Sequence, residues 1–184
     1  MILPIYAYGM AVLRRKADPI TPPYEGLQEL VKNMFETMYD SNGIGLAAPQ
    51  IGLSIRLFIV DGCKIDEDNT TKNLKQVFIN AKMIQEFDAA WEYEEGCLSI
   101  PFVRADVKRS SKITLQYVDE NFIEKTETFG GIAARIIQHE YDHIEGILFI
   151  DRISPLKRTM LKKKLQTISK GLVQAAYKMK FPKK

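Results

Sequence analysis

The chain has 184 residues, 46% of them hydrophobic and 27% charged, with a net charge of +3. This is enough for one domain, or one domain with an appendage, and too apolar for disorder as the main state. No apolar run approaches the ~18–20 residues that span a bilayer. The opening segment 1–9, MILPIYAYG, has no basic stretch and is broken by Pro4. It does not read as a secretory signal, so the cytoplasm is the expected compartment. The two cysteines, Cys63 and Cys97, could form one disulfide, but a chain with a full-sized core does not need it. Cys63 reads as a small buried hydrophobe. Charge is unevenly spread: residues 152–184 hold 11 Lys or Arg and no acid, which leaves 15 basic against 23 acidic residues, a net of −8, in the first 151. A basic tail on an acidic body is either a solvated helix face or a docking element for an anionic partner.

Residues 18–24 (DPITPPY) hold three prolines and read as a loop. Leu27, Leu30, Val31, Met34, Phe35 and Met38 follow at helical spacing, which predicts an amphipathic helix ending near Ser41-Asn42-Gly43. The small-residue segment 43–52, GIGLAAPQIG, reads as a loop whose backbone another molecule can approach. Residues 56–60 (RLFIV) read as a strand and 61–73 as a polar surface loop. Segments 77–79 and 82–85 read as strand with a break at Asn80-Ala81. Residues 112–118 and 122–128 flank Asp119-Glu120-Asn121 and predict a β-hairpin. A second helix is expected over about 132–145. It is apolar on most sides, so it should cross the core. The last helix opens on Ser154-Pro155, an N-cap and a first-turn proline. Leu156, Met160, Leu165, Ile168 and Leu172 form its apolar stripe, with Lys157, Arg158, Lys162, Lys163, Lys164 and Lys170 on the rest. The expected fold is α+β, with mixed, mostly antiparallel sheets around a central buried helix and a C-terminal helix.

The buried helix carries His139-Glu140-Tyr141-Asp142-His143, an H-E-x-x-H motif that contains both histidines of the chain. The i, i+4 spacing stacks the two imidazoles on one face, as needed to grip one metal ion, and Glu140 lies where a general base would. A catalytic site needs a third protein ligand and an open position. The continuation H-E-x-x-H-x-x-G-x-x-H fails, because Gly146 is present but Phe149 stands at the last position. The only acids after His143 are Glu145, too near on the same helix, and Asp151. The third ligand therefore lies upstream, and Cys97 in Glu95-Gly96-Cys97-Leu98-Ser99 is the natural choice: Gly96 permits a tight turn, and thiolate suits Zn²⁺ or Fe²⁺. Arg135, on the same helix, reads as a side chain snorkelling to solvent, with a polar rim to a substrate pocket as the alternative.

Three segments, GIGLAAPQIG at 43–52, EGCLS at 95–99 and HEYDH at 139–143, occur in the order in which the peptide deformylases carry them, and the chain closely resembles that family. The likeness runs from about Leu13 to Leu165. The first motif departs from it at Pro49, where other members have Thr. The tail resembles the C-terminal helix of the bacterial type. The resemblance implies hydrolysis of the N-formyl group of formyl-methionine on nascent polypeptides, with release of formate. It implies Cys97, His139 and His143 as ligands of one divalent ion, with Fe²⁺ as the expected metal and Zn²⁺, Ni²⁺ or Co²⁺ as substitutes. A hydroxide at the metal would attack the formyl carbon, with Glu140 as general acid and base. Gln50 and the backbone N–H of Leu98 would hold the developing oxyanion. The Gly45 backbone would pair with the substrate, and Ile44, Ile132 and Ile136 would line the methionine pocket. Residues 1–153 would form the catalytic domain, with 154–184 an appended basic helix and tail that could dock on the ribosome. No membrane or DNA partner is expected.

Overall fold

The computed structural model describes residues 1–63, 65 and 69–183. Part of the segment expected as a loop at 61–73 lies outside these residues. Five strands form one sheet in the order β2 (Gly45–Ala47), β3 (Leu57–Asp61), β4 (Lys75–Cys97), β5 (Ile100–Val118) and β6 (Glu124–Gly130), every neighbouring pair antiparallel. β1 (Ile5–Tyr6) pairs in parallel with β7 (Met179–Lys180), which brings the two ends of the chain together. The fold is α+β with a C-terminal helix, as the pattern of elements predicts.

Helix α1 (Leu27–Asp40) buries Leu27, Val31, Met34 and Met38, the predicted face. Asn42 closes it in the left-handed region at φ 54°. The segment expected as a loop at 43–52 holds the short strand β2 and a 3-10 turn, Ala48–Ile51, because Leu46, Ala48 and Ile51 pack against the α1 side of the sheet. The expected break at Asn80-Ala81 does not divide two strands. Asn80 takes φ 53° inside β4, and its side-chain amide bonds the N–H and carbonyl of Ile20 at 2.8 and 2.7 Å. The strand bulges there and continues. It runs on through residues that were not read as strand, turns at Leu98-Ser99, and returns as β5. On this hairpin Trp91, Tyr93 and Glu95 turn inward while Glu92 and Glu94 are exposed.

Helix α2 (Gly131–Ile144) packs on β2, β3, β5 and β6, with Ile132, Ala133, Ala134, Ile136, Ile137 and Ile144 all buried. Beneath it Phe58 stacks on Phe78 at 4.7 Å, and Phe78 meets Tyr117 at 4.5 Å between ring centroids. Helix α3 (Pro155–Ser169) starts as predicted, with the Ser154 hydroxyl accepting from the Lys157 N–H at 3.3 Å. Its apolar stripe does not pack as a whole. Leu165 and Ile168 join the cluster around Leu13 and Phe149, but Leu156 and Met160 are 72% and 75% exposed, and Leu172, 65% exposed, lies beyond the end of the helix. Helix α3 therefore touches the body mainly through its second half. Cys63 is exposed, contrary to its reading as a buried hydrophobe, because it follows β3 onto the surface. Among the described residues no helix is long and apolar enough to cross a membrane.

Helix α2 ends against the N-terminal segment. Gly146, at φ 74°, lies where the Glu145 cap hands over to the next loop, and a Cβ there would meet the Arg14 carbonyl oxygen at 2.8 Å. Both the left-handed backbone and the close backbone approach require glycine. Gly146→Ala is expected to cost about 1–3 kcal/mol, read as a lower midpoint in urea unfolding.

Candidate metal centre

The tight turn between β4 and β5 and one face of α2 build the centre. Cys97 ends β4 and pairs across the turn with Ile100. His139 and His143 stand one helical turn apart, their ring centroids 5.1 Å from each other. One donor atom from each of the three residues lies within 4.8 Å of the other two. Cys97 Sγ is 3.3 Å from His143 Nε2. An ion ~2.3 Å from sulfur and ~2.0 Å from nitrogen in tetrahedral geometry spaces those two donors by about 3.5 Å, so the observed spacing fits one. The field also fits a cation. Burial opposes the charged form of His139, yet Cys97, Glu95 and Glu140 outweigh it and hold its pKa well above the ordinary value. His143 is held well below it by burial and by the charges of His139 and Arg109.

Glu140 is buried and one of its oxygens, Oε2, has no hydrogen-bond partner. Burial pushes its pKa up to about 7. A carboxylate left unpaired in the interior is costly unless something polar uses it. Its place beside three metal donors supplies that use. Strand β2 passes close to that carboxylate: a Cβ on Gly45 would fall 2.4 Å from Glu140 Oε1. Gly45 was read as a point of backbone approach for another molecule, and its first effect is to let β2 pass over the Glu140 carboxylate.

A layer of buried charge lies behind the donors. Glu95 Oε2 accepts from His139 Nδ1 at 2.9 Å, which turns Nε2 toward Cys97. Arg109 grips Glu95 with Nε and a terminal nitrogen at 2.6 and 2.9 Å, and reaches Asp142 Oδ2 at 2.7 Å with the other. Arg152 also holds Asp142, with Nε on Oδ2 at 2.6 Å and a terminal nitrogen on Oδ1 at 2.5 Å. Burial would raise the Glu95 pKa, but Arg109 and His139 hold it well below the carboxylate range. Arg135 is a correction to the sequence reading. It does not snorkel to solvent but is 3% exposed, bonding Glu95 Oε1 at 3.0 Å, the Val107 carbonyl at 2.8 Å and the Trp91 carbonyl at 2.7 Å. Its guanidinium lies 4.7 Å from the Trp91 ring centroid, which replaces solvent as its neighbour.

A cavity of about 840 Å³ opens over the centre. Ile44, Gly45, Gln50, Cys97, Leu98, Ile132, Ile136, His139 and Glu140 all line it, and His143 sits behind Cys97. The residues singled out from sequence are thus brought to one place. Gln50 is 2% exposed, and its Oε1 accepts from the Ala47 N–H at 2.8 Å. That bond turns the amide nitrogen toward Cys97 Sγ and Ser99 Oγ, at 3.5 and 3.4 Å. Strand β2 is the edge of its sheet, so its free side can take an extended peptide. The sequence reading missed Glu95, Arg109 and Asp142. A signal existed in the inward alternation of Trp91, Tyr93 and Glu95, but charged residues on a buried face break the apolar period that marks a strand.

Three protein donors, one open side and a carboxylate alongside make up the donor count of a catalytic metal site rather than a closed structural one. The sequence matches the polypeptide deformylase family over residues 2–159. It is 53% identical to the peptide deformylase of Flavobacterium psychrophilum, with 100% of both chains covered. It is 51% identical to that of Christiangramia forsetii, over 99% of this chain and 97% of the other. Among solved structures, the peptide deformylase from Legionella pneumophila superposes with a TM-score of 0.81 at 37% identity, over 94% of this chain and 98% of that one. The one from Thermotoga maritima gives 0.76 at 38% identity, over 84% of this chain and 99% of that one. This chain belongs to the polypeptide deformylase family, whose members are metal-dependent hydrolases.

Arg109 has 1% of its side chain exposed and holds two carboxylates that are 5% and 3% exposed. Its removal would leave both buried and undercompensated. Arg109→Leu is expected to lose about 3–5 kcal/mol of stability at neutral pH. The Glu95 pKa is depressed in the folded chain, so its share of that stability is complete above the ordinary carboxylate pKa and fades as pH falls toward the folded value. Urea unfolding at pH 7 and in acid checks both statements, with the gap between wild type and variant narrowing in acid.

Proposed function

We propose that this protein removes the N-formyl group from the formyl-methionine of nascent polypeptides, releasing formate, in the cytoplasm. The observation that carries the proposal is the convergence of Cys97, His139 and His143 beside the unpaired Glu140 oxygen at the base of an open cavity. Cys97 Sγ, the free nitrogen of His139 and His143 Nε2 would hold one divalent ion. Fe²⁺ is the native metal in this reading, with Zn²⁺, Ni²⁺ or Co²⁺ able to replace it, since all accept a mixed thiolate and imidazole set. Such an ion supplies Lewis acidity, polarising the formyl carbonyl and bringing the pKa of a water toward ~7.

The chain's own residues do the rest. An extended substrate lies along the free edge of β2, with backbone bonds at Gly45. Its methionine side chain enters between Ile44, Ile132 and Ile136, the last two one turn apart on α2. The Glu140 carboxylate takes a proton from the attacking water and passes it to the departing amine, a transfer that suits a group whose pKa burial has lifted to about 7. Negative charge gathers on the former formyl oxygen. The Gln50 amide, aimed by its bond to Ala47, and the Leu98 N–H in the β4–β5 turn donate to it. One such donor is commonly worth ~3–4 kcal/mol. Because a thiolate ligand offsets part of the ion's charge, these donors carry more of the work.

Protein purified without oxygen should release formate from a formyl-Met tripeptide. Glu140→Ala should keep one metal per chain and lose at least ~10²-fold in kcat. Cys97→Ala should lose both metal and turnover. A folded, metal-loaded wild type that makes no formate would remove this reading.

The proposed division of labour places the chemistry on residues 1–153 and docking on 154–184, whose last residues fold back on the catalytic part. Lys162 and Lys163 are exposed on α3 near the exposed Leu156 and Met160. Such a face suits the phosphate-rich surface of the ribosome, where nascent chains emerge. The double variant Lys162→Glu/Lys163→Glu should bind ribosomes more weakly in sedimentation and lower the slope of log K against log salt by about one to two. It should process short peptides at the wild-type rate. Unchanged ribosome binding would argue for a merely solvated face.

A further inference from the structure

The C-terminal tail ends at the metal centre. Beyond α3, Ala175, Ala176 and Tyr177 line the same cavity as Cys97 and Glu140. The Tyr177 hydroxyl donates to the Leu98 carbonyl at 2.8 Å, across 79 residues of chain. The tail is pinned there. The Ile5 N–H donates to the Lys178 carbonyl at 2.8 Å, and the Ala7 N–H to the Lys180 carbonyl at 2.9 Å. Tyr177, like Leu98 and Met179, packs against the α1 side of the core. The next carbonyl in the turn is tied as well, because the Tyr8 N–H donates to the Ser99 carbonyl at 2.8 Å. Two successive carbonyls of a two-residue turn are thus fixed, one by each end of the chain. That turn begins at Cys97 and carries the Leu98 N–H.

We infer that Tyr177 is a positioning residue for deformylation: its hydroxyl holds the Leu98 carbonyl, and through the backbone of that residue keeps the Leu98 N–H aimed at the oxygen on which charge develops. The inference rests on the deformylase reading above. A donor stabilises a transition state in proportion to how well it is aimed beforehand. The other hydrogen bonds to the turn hold Cys97 Sγ and the hydroxyl and carbonyl of Ser99, whereas the Tyr177 bond holds Leu98 itself, and an error of ~1 Å in such a donor can cost up to ~10²-fold in rate. Substrate binding along β2 and in the methionine pocket does not depend on this bond. Loss of the hydroxyl should therefore lower kcat and leave KM nearly unchanged.

The experiment compares full-length, metal-loaded wild type with Tyr177→Phe, which keeps the ring and loses only the donor. Tyr6→Phe is the control. The Tyr6 hydroxyl accepts from Lys180 Nζ at 2.9 Å at the same junction of chain ends but does not touch the turn. The readouts are metal content, kcat and KM on a formyl-Met tripeptide, and amide hydrogen exchange over residues 97–101. Tyr177→Phe is expected to keep its metal, to lose about ten-fold in kcat with KM within about two-fold, and to exchange faster in the turn. Tyr6→Phe should match wild type. Wild-type kcat in Tyr177→Phe would overturn the proposal, and so would an equal loss in Tyr6→Phe or a loss of metal, since either marks a general loosening. A wild type that releases no formate would instead overturn the deformylase reading itself.

Discussion

Arg109 lies between Glu95 and Asp142 with almost no solvent contact, and the metal centre depends on that contact. Glu95 belongs to β4, Arg109 to β5 and Asp142 to α2, so one guanidinium joins the long hairpin to the helix. Bringing three charges out of water costs several kcal/mol for each, and hydrophobic residues of similar size could fill the space more cheaply. The compensation lies in geometry. Glu95 stands two residues before Cys97 and bonds the ring of His139. Asp142 precedes His143. The same ion cluster therefore sets the relation between a donor at a strand end and two donors on a helix, which come from distant parts of the chain.

This arrangement concentrates constraint on a short turn. Cys97 and Leu98 must sit within reach of α2 on one side and of Gln50 on the other. The Gln50 amide, the segment after β1 and the end of the tail all touch the residues 97–99. β2 passes close over Glu140 because Gly45 has no side chain, so the open edge that can take a peptide and the carboxylate that can move a proton are neighbours. In the proposed reaction, substrate binding and proton transfer would share one wall of the cavity.

Some of this is legible in the linear pattern. The period of α1, the apolar circumference of α2, the β5–β6 hairpin around Asp119-Glu120-Asn121 and the Ser154 cap are all found where local rules place them. Each is decided by neighbours within a few positions. The far half of the β4–β5 hairpin is not legible in this way. Its inward positions include Glu95 and Arg109, which look like surface residues until the partner across the sheet is known. The snorkelling reading of Arg135 fails for the same reason: its acceptors include carbonyls of Trp91 and Val107, remote in sequence, and it lines the cavity, in keeping with the alternative reading. The stripe on α3 shows the converse error. Correct helical spacing places residues on one face, but whether Leu156 and Met160 find a partner depends on how far the helix overhangs the body.

The chemistry on offer can be read along the chain. Two histidines at i, i+4 share a helix face by geometry alone, Glu140 is adjacent, and the absence of a usable acid downstream directs the third ligand to Cys97. The tertiary structure alone decided what aims these groups. Glu95 turns a histidine, Arg109 and Asp142 lock strand to helix, and the two chain ends meet under the turn that bears Leu98. The physical reason is range. Helical periodicity and covalent spacing act over a few residues and can be read along the chain. A buried charge is tolerable only beside partners that folding brings from elsewhere, and no local pattern names them.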